Sequence, residues 1–508
     1  MLRCLNLKLR RPRGRPWPSK VNPDGRVAVG TASSLPLLVA VWLALGGTPA
    51  PAQAAGNWPQ FRGPNGSGVA PDADPPVDFS ATNGVRWRVA VPRSPSSPCV
   101  WRQAIFLTTC LADQLETRCY DARDGRLRWS RAIRPERLEG FNPELGSPAA
   151  STPATDGRHV VSYFGSFGLV CYDLAGAERW RHPLPVAVSG GNYGTGTSPI
   201  LAHDLVLLDR AQDRNSSLLA VEVDTGQTRW EAPRPEATGS FGTPVLWRSA
   251  GVEEVVLPGS ARLEAYAVRT GQPRWQLAGV TGFACTSPVV GDGLLFFAGW
   301  SPGKADAPWP SWQTFLEQHD KNKDGEVTFD ELEAGSRHFM SGLDVDHDGK
   351  ITKADWDRIL ARAAASENNL IAIRPGGHGD ISHTHVAWKA TRGLPYVPSP
   401  LFYQGRLYLL RDGGMLSSFD AKTGRAEYSQ ERLGALGSYY ASPVAAAGRI
   451  YVASLDGRLT VVRAGGAQPE VLHQTDFGER ILATPALVGT QLYVRTDAHL
   501  YAFGPRAE

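Results

Sequence analysis

Short runs of hydrophobic residues recur along most of the chain and are separated by turns rich in glycine and proline. Residues 287–299 read SPVVGDGLLFFAG, in which a β-branched run, a turn and an aromatic run follow one another. Runs of this length, bounded by turn residues, are typical of short antiparallel β-strands. The pattern therefore predicts an all-β fold for most of the chain.

A Ser/Thr-Pro dipeptide precedes each group of runs and recurs at a nearly constant spacing. The gaps between successive prolines are 42 to 55 residues, apart from one gap of 112, and the prolines are Pro98, Pro153, Pro199, Pro244, Pro288, Pro400, Pro443 and Pro485. A four-stranded sheet of ~45 residues cannot bury both of its faces alone. Eight such sheets packed around an axis bury one another, so the repeat predicts an eight-bladed β-propeller.

Most units end in a glycine turn followed by an aromatic residue. The turns read DGRLRW, AGAERW, DTGQTRW and RTGQPRW and end at Trp129, Trp180, Trp230 and Trp275, while the fifth and sixth units have Trp388 and Tyr428 at this place. Because these aromatics recur with the repeat, we expect them to fill the space between blades. The seventh unit has no such aromatic residue between Leu459 and His473.

The last unit has only three strands of its own, within residues 484–503. The segment NGVRWRVAVP, which begins at Asn83 and contains Trp87 after a glycine turn, has the pattern of the missing fourth strand. We expect the two ends of the chain to complete one blade, which offsets the entropy lost when the ring closes.

The repeated turn, of the form Ala-x-Asp-x-x-Thr-Gly-x-x-x-Trp, resembles the repeats of pyrroloquinoline-quinone (PQQ)-type propellers. The opening NWPQFRGPNGSGVA, residues 57–70, resembles the start of secreted bacterial propellers of this type. The resemblance implies the fold, but this fold hosts both quinone dehydrogenases and non-catalytic scaffolds. One such scaffold is the propeller subunit of the outer-membrane barrel assembly machinery, which carries a lipid-anchor cysteine that this sequence lacks.

The long gap contains an EF-hand calcium loop, DKNKDGEVTFDE, at residues 320–331. Hard oxygen donors suit Ca²⁺, and a glycine at position six allows the sharp turn. The expected ligands are Asp320, Asn322, Asp324, the backbone carbonyl of Glu326, and Glu331. A chance acidic surface loop is the alternative, which the full-length match disfavours.

A second loop, DVDHDGKITKAD, occupies residues 344–355, with the expected ligands Asp344, Asp346, Asp348, the Lys350 carbonyl and Asp355. Asp355 is one methylene shorter than the usual glutamate, so six-fold coordination and some Mg²⁺ tolerance are expected. Val327 and Ile351, both at position eight, are expected to pair as a two-stranded sheet. Residues around Trp312 and Trp356 have helical periodicity and flank the two loops.

These patterns divide the chain into a propeller at residues 55–300 and 369–508 and an EF-hand pair at residues 301–368, inserted in blade five. The insertion is expected on the face that carries the loops before each Ser/Thr-Pro. Those loops form an aromatic rim, the expected binding site, from Phe141, Asn142, Tyr193, Phe241, Phe283, Tyr396, Tyr439 and Tyr440.

A quinone dehydrogenase of this type is expected to have a catalytic carboxylate and side-chain ligands for a calcium ion inside the ring, often with an adjacent Cys-Cys pair. That pair is absent, and no catalytic residue can be assigned among the polar residues of the rim, which are Glu139, Asn142, Glu144, Asn192 and Arg480. His383 and His385 in HGDISHTHVAW could bind a transition metal, but a long turn between strands is the favoured interpretation.

Residues 1–54 are expected to be a cleaved secretory signal, because an apolar run, too short to span a bilayer, follows a basic segment and ends in Ala-Gln-Ala. These residues hold eight Lys or Arg and one Asp, so the remainder carries 45 basic and 49 acidic side chains, a net charge of −4. That balance disfavours nucleic-acid binding. Five cysteines remain, and a disulfide between Cys110 and Cys119 across a hairpin at Gln114-Leu115 is plausible.

The sequence thus predicts a periplasmic or secreted calcium-binding propeller that acts as a binding or scaffolding protein in the bacterial envelope. Its partner, a protein, a peptide or a glycan, is expected at the rim. The alternative is a PQQ-dependent dehydrogenase that oxidises an alcohol or a sugar.

Overall fold

The computed structural model describes residues 56–505, apart from 190–192, 213–214, 236, 238, 250, 302–309, 334–339, 341–342 and 346–347. The expected signal segment, Asn192 and the expected ligand Asp346 lie outside the described residues. No helix among those described is long and apolar enough to cross a membrane.

The described residues fold into eight antiparallel sheets arranged as a β-propeller, as predicted. Blade one consists of β2 (Cys99–Trp101), β3 (Ala104–Leu111), β4 (Gln114–Asp121) and β5 (Leu127–Ile133), and blade two of β6 (Ala154–Thr155), β7 (His159–Phe164), β8 (Gly168–Asp173) and β9 (Glu178–Pro183). Blade three consists of β10 (Ile200–Ala202), β11 (Leu205–Arg210), β12 (Ser217–Glu222) and β13 (Thr228–Pro233). Blade four consists of β14 (Val245–Ser249), β15 (Val252–Gly259), β16 (Arg262–Ala267) and β17 (Pro273–Ala278).

Blade five contains β18 (Val289–Gly291), β19 (Leu294–Gly299), β22 (Asn369–Ile373) and β24 (Val386–Ala390). Blades six and seven consist of β25 (Leu401–Tyr403), β26 (Arg406–Arg411), β27 (Met415–Asp420) and β28 (Ala426–Arg432), and of β29 (Val444–Ala446), β30 (Arg449–Ala453), β31 (Arg458–Arg463) and β32 (Glu470–Asp476).

Blade eight joins both ends of the described chain. Its strands are β33 (Ala486–Val488), β34 (Gln491–Arg495), β35 (His499–Phe503) and the N-terminal β1 (Val85–Ala90). β1 pairs antiparallel with β35, with Val89 opposite Leu500. The predicted closure of the ring is therefore confirmed.

The recurring tryptophans lie between blades, as predicted. The indole Nε1 of Trp180 donates to the backbone carbonyl of Val223 in the next blade at 2.7 Å, and a Cβ at Gly226 would lie 2.6 Å from its ring. The turn glycine is thus required because the indole covers it. The same bond to the next blade is made by Trp87, Trp129, Trp230 and Trp388.

Three units depart from this contact. Blade six has Tyr428 at this place, which carries no indole N–H. Trp275 donates instead to a carboxylate oxygen of Glu254 in its own blade, at 3.0 Å. In blade seven, His473 lies opposite Val461, where the other blades have the aromatic residue, and its Nε2 is 2.6 Å from the carbonyl of Phe79. The blade therefore forms without a tryptophan.

The Ser/Thr-Pro dipeptides form a closed circle of hydrogen bonds around the axis. The backbone N–H of each Ser or Thr donates to the side-chain hydroxyl of its counterpart in the next blade, at 2.8–3.1 Å. We call this set the hydroxyl ring; its members are Ser97, Thr152, Ser198, Thr243, Ser287, Ser399, Ser442 and Thr484. The sequence repeat thus reflects one bond per blade.

Residues 57–70, called the floor segment here, cross the centre of the propeller beneath the ring of innermost strands. Trp58 exchanges backbone hydrogen bonds with Val100 of blade one, at 2.8 and 2.7 Å, and the Asn65 amide bonds both backbone groups of Leu246 of blade four. Ala445 of blade seven donates to Gly68 at 2.7 Å. The floor segment therefore ties distant blades together across the axis.

The insert in blade five contains the helices α1 (Trp312–His319) and α2 (Lys353–Ala365) and the short strands β20 (Val327–Thr328) and β21 (Lys350–Ile351). Val327 pairs with Ile351, as predicted. The rings of Phe315 and Trp356 stack with centroids 4.4 Å apart in the small core of the insert. Residues 334–339 and 341–342, between the two loops, lie outside the described residues.

Two local expectations meet different outcomes. The hairpin of blade one turns at Ala112 and Asp113, both with positive φ, so Cys110 lies opposite Leu115 and Cys119 lies opposite Phe106. The disulfide between these cysteines was wrongly predicted, and all five described thiols are free. The histidine-rich segment is indeed a turn, and its β23 (Gly379–Asp380) adds a parallel fifth strand to blade four beside β17.

Candidate binding site and calcium loops

A concavity lies on the propeller axis, between the aromatic rim and the floor segment. This axial cavity has a volume of about 250 Å³. Of the predicted rim, Tyr193, Phe241, Phe283, Tyr396 and Tyr440 line it, together with all members of the hydroxyl ring except Thr243. Phe141 and Tyr439 are not part of the lining, and the Tyr439 hydroxyl is engaged with the Ala435 carbonyl at 2.9 Å.

Three of the aromatic residues form a continuous wall. The rings of Tyr193 and Phe241 meet edge to face at 6.5 Å, and those of Phe241 and Phe283 are 5.2 Å apart. Such pairs stabilise each other and present flat apolar surfaces to a ligand. The wall therefore favours an aromatic or aliphatic group in the upper part of the cavity.

Phe61, in the floor segment, lines the cavity at its lower end. Because the floor segment contacts the innermost strands of several blades, the axial cavity opens toward the rim and is closed below. Sequence reasoning missed this role of Phe61. The only signal was the resemblance of residues 57–70 to other propellers of this type, which says nothing about placement.

The lining residues of the axial cavity include no Asp, Glu, Lys, Arg or His among those described. Of the polar residues expected at the rim, Arg480 and Glu144 pair with each other at 3.3 Å, with Glu144 largely exposed. The cavity is therefore an uncharged surface, in which hydroxyl groups and aromatic rings are the functional groups available.

One carboxyl group lies directly behind the wall. Thr195, which lines the cavity, donates its hydroxyl to Oε2 of Glu139, and Oε1 has no described hydrogen-bond partner. Burial raises the pKa of Glu139 to about 8, so the group is mostly protonated at neutral pH. Glu139 is thus a neutral hydrogen-bonding group rather than a charge.

Cys285 also lines the cavity, next to the aromatic wall. Burial raises the pKa of its thiol to about 12, so the reactive thiolate is scarce at neutral pH. Cys285 therefore contributes a small apolar surface.

The first calcium loop is folded by hydrogen bonds to its own carboxylates. Oδ1 of Asp320 accepts from the Lys323 amide at 2.7 Å, and Oδ2 accepts from Gly325 at 3.0 Å. Oε1 of Glu331 accepts from the amides of Lys321 and Asn322, and Oε2 accepts from Thr328. These bonds lower the pKa of Glu331 to about 2, that from Thr328 most, so its two oxygens carry a negative charge.

The second loop repeats this arrangement with the shorter Asp355. Its Oδ1 accepts from the Val345 amide at 3.2 Å, and its Oδ2 accepts from Thr352 at 3.0 Å. Oδ2 of Asp344 accepts from Gly349 at 3.0 Å, as Asp320 does from Gly325. Asp355 also completes the capping box of α2 with Thr352, so the loop and the helix share this carboxylate.

The donor chemistry of both loops fits Ca²⁺. Carboxylate, amide and carbonyl oxygens are its preferred ligands, and the amide bonds hold Asp320, Glu331, Asp344 and Asp355 around their own loops. Among the described residues no three His, Cys, Asp or Glu side chains form a metal-binding cluster. The assignment of individual calcium ligands therefore stays a prediction.

The insert is attached to the loops around the axial cavity. Asn368 makes two hydrogen bonds with the backbone of Ser301, at 2.8 and 3.0 Å, and so closes the base of the insert. Ser301 also bonds Thr281, two residues before Phe283 of the aromatic wall. The ring of Trp300 packs edge to face on Tyr396 at 5.9 Å. The insert is thus beside the cavity, as its place in blade five predicted.

The described lining does not fit a PQQ cofactor. That quinone carries three carboxylates, which need cationic partners. It is bound together with a calcium ion, which needs carboxylate or amide oxygens from side chains within the ring. No cationic side chain and no carboxylate or carboxamide side chain lies among the described lining residues. We therefore derive no chemical step through a quinone.

A protein-family model described as outer membrane protein assembly factor BamB matches residues 116–299 and 340–469 of the chain. A model of the EF hand matches residues 313–336, which contain the first calcium loop. A search of curated proteins finds no match.

Solved structures share the fold at low sequence identity. BamB from Moraxella catarrhalis is 12% identical, with a TM-score of 0.50 over 83% of this chain and 97% of its own. A europium-containing methanol dehydrogenase is 10% identical, with a TM-score of 0.54 over 89% and 98%. A quinohemoprotein alcohol dehydrogenase from Comamonas testosteroni is 13% identical, with a TM-score of 0.54 over 90% and 81%. These similarities extend to the fold alone.

Proposed function

We propose, from the premise that this chain belongs to the BamB family of repeat propellers, that it is an exported, calcium-binding protein of the bacterial envelope that captures apolar groups in its axial cavity. The observation that carries the proposal is the aromatic, uncharged lining of a cavity that is closed below. Burial of apolar ligand surface against such a lining gains about 25 cal/mol per Å².

The envelope location rests on the leader expected at residues 1–54 and on the matching family, that of the outer membrane protein assembly factor BamB. The two calcium loops are proposed to be permanently loaded outside the cytosol, where related modules bind Ca²⁺ with dissociation constants of ~10⁻⁴–10⁻³ M. Loaded loops would hold α1 and α2 together and fix the insert beside the cavity.

Thermal unfolding with neutral aromatic probes tests the capture. N-acetyl-tryptophanamide and N-acetyl-phenylalaninamide are expected to raise the Tm of the full chain in a concentration-dependent manner. The substitution Cys285→Phe, which fills the cavity, is expected to abolish the shift. Cys110→Phe, at a cysteine of blade one that does not line the cavity, is the matched control and is expected to retain it.

The competing function is that of a quinone dehydrogenase, whose fold this chain shares. Protein incubated with PQQ and Ca²⁺ is expected to reduce no dye with a panel of alcohols and sugars. Dye reduction would contradict the proposal. So would the finding that neither aromatic probe and no member of a glycan panel raises the Tm.

A further inference from the structure

The hydroxyl ring has hydroxyl protons that are not used in hydrogen bonds among the described residues, at the lower end of the axial cavity. Each of its eight hydroxyl oxygens accepts one backbone N–H, and a hydroxyl group also carries one proton to donate. Within the described part of the chain, none of these hydroxyls donates to a protein acceptor. Because seven of the eight line the cavity, their protons are available to a ligand there.

A buried cation lies beside this ring. The side chain of Arg62, in the floor segment, is fully buried, and its Nη2 donates to the carbonyl of Pro400 at 2.6 Å. Pro400 directly follows Ser399 of the ring. The side chain also approaches Gly68, where an added Cβ would lie 3.1 Å from both Nη2 of Arg62 and the carbonyl of Pro443, the residue after Ser442.

The charge of Arg62 is not compensated by an acid among the described residues. Its Nε and Nη1 have no hydrogen-bond partner there, and burial lowers its pKa to about 9, so the guanidinium is still charged at neutral pH. The other fully buried arginines differ. Arg234 bonds the carboxylates of Asp209 and Glu264. Arg495 has no carboxylate partner among the described residues either, but it bonds three backbone carbonyls, whereas Arg62 bonds one.

An uncompensated buried cation is costly, and its field favours an anion nearby. Hydroxyl donors arranged in a circle stabilise an anionic oxygen without rearrangement. The two features thus act at the same end of the cavity. The aromatic wall lies at the other end, where it favours an apolar group.

We propose that the axial cavity binds an organic carboxylate end-on, with its carboxylate against the hydroxyl ring and its apolar body against the aromatic wall. The inference rests on the proposed function and names its ligand class. One carboxylate matches the one positive charge of Arg62, whereas a ligand with several carboxylates would place the rest against the uncharged wall. Such a ligand is either a small free acid or the C-terminal residue of a polypeptide.

Calorimetric titration of the full chain with matched probes tests the inference. 3-Phenylpropanoate and 3-phenylpropanamide differ only in the charge of the head group, and a pentapeptide with a C-terminal phenylalanine can carry either a free carboxylate or an amide. We expect the acids to bind at least about tenfold more tightly than their amides. If the acid is preferred over the amide only in the small pair, the ligand is a small free acid. If the peptide acid is preferred over its amide to the same extent, the ligand is the C-terminal residue of a polypeptide.

Three variants and one control variant test which groups cause the preference for the acid over the amide. Arg62→Gln is expected to reduce it severalfold and Arg62→Lys to preserve most of it. Ser442→Ala, which removes a ring hydroxyl, is expected to reduce it, whereas Ser94→Ala, a buried serine outside the ring, is expected to leave it unchanged. If Arg62→Gln does not fold, Ser442→Ala and the probe pairs still decide.

Equal binding of acid and amide would overturn the inference and leave the capture of aromatic groups intact. If none of the four probes binds, both the inference and the proposed function are overturned. Tighter binding of the acid that Arg62→Gln and Ser442→Ala both leave unchanged would place the carboxylate elsewhere and would also overturn the inference.

Discussion

The backbone N–H of Thr484 donates to the hydroxyl of Ser97 at 3.0 Å, although 387 positions separate the two residues in the chain. This bond joins blade eight to blade one and completes the hydroxyl ring. Every blade contributes the same pair of groups, so the ring resists opening at any one seam.

Thr484→Ala is expected to destabilise the protein by about 1–2 kcal/mol, because the Ser442 amide then loses its acceptor in a buried site. Thr484→Ser retains the hydroxyl and is the matched control. Urea unfolding of both variants gives the comparison. Equal losses would show that the methyl group, and not the hydrogen bond, is responsible.

Gly226→Ala is expected to be more destabilising than Gly448→Ala by about 1–3 kcal/mol, the usual cost of overpacking. Both glycines have nearly the same positive φ, 75° and 74°, but only at Gly226 does an added Cβ meet the ring of Trp180. The difference in the free energy of unfolding therefore isolates the contact between blades. Equal losses would mean that backbone strain accounts for the glycine.

Arg234→Met is expected to cost about 3–5 kcal/mol, since it leaves a charge on the fully buried Asp209 without its partner. Adding Asp209→Leu to that variant should recover much of the loss. Arg229→Met, at a surface ion pair with Glu222, is the control and should cost less than about 1 kcal/mol. A double variant that is less stable than Arg234→Met would contradict this account.

Glu139→Gln is expected to remove a pH dependence of stability. The folded-state pKa of Glu139, about 8, exceeds the usual value of 4.5, so the folded state holds the proton more tightly. Its contribution to stability is full below pH ~4.5, declines as the pH rises toward 8, and is lost above it. Wild type and variant should therefore have similar Tm values at pH 5, and the wild type should be less stable at pH 9.

The exposed Glu136→Gln serves as the control for this comparison and should follow the wild type at every pH. A Tm difference between wild type and Glu139→Gln that does not change between pH 5 and pH 9 would show that the carboxyl group is already ionised in the folded protein at neutral pH.

Glu331→Gln is expected to weaken Ca²⁺ binding at the first loop by about tenfold or more, because the loop loses the carboxylate that provides two oxygens. Glu333→Gln, an exposed change of the same charge outside the loop, should bind as the wild type does. Calorimetry at millimolar Ca²⁺ measures both, and the Ca²⁺-dependent gain in Tm should follow the affinity. Failure of the wild type to bind Ca²⁺ at that concentration would contradict the assignment of residues 320–331 as a calcium-binding loop.

The fold was predictable because its cause is periodic. Glycine, tryptophan and Ser/Thr-Pro recur once per blade, and each recurrence reports one contact between neighbours, such as that of Trp180 with Gly226. In blade seven, His473 takes the place of the aromatic residue. Because it departs from the repeat, its role could be recognised only from its position opposite Val461 in the structure.

The calcium loops were predictable as a motif, whereas the axial cavity was predictable only in part. The rim aromatics follow from the loops before each Ser/Thr-Pro. In contrast, Phe61 reaches the cavity, and Arg62 lies beside the hydroxyl ring, because the floor segment contacts blades that are far away in sequence. The wrong disulfide has a local cause. Two residues with positive φ, Ala112 and Asp113, move the turn and with it the register of Cys110 and Cys119.

The floor segment sets an order of assembly. It is synthesised before the blades, yet its partners include Leu246 and Ala445, which follow Asn65 and Gly68 by 181 and 377 positions. Its bonds to Val100 can form early, but its bond to blade seven must wait until translation is nearly finished. The segment is therefore among the last parts of the described chain to dock completely. A truncated product without its last blades would leave this segment undocked, its apolar side chains available to proteases and chaperones.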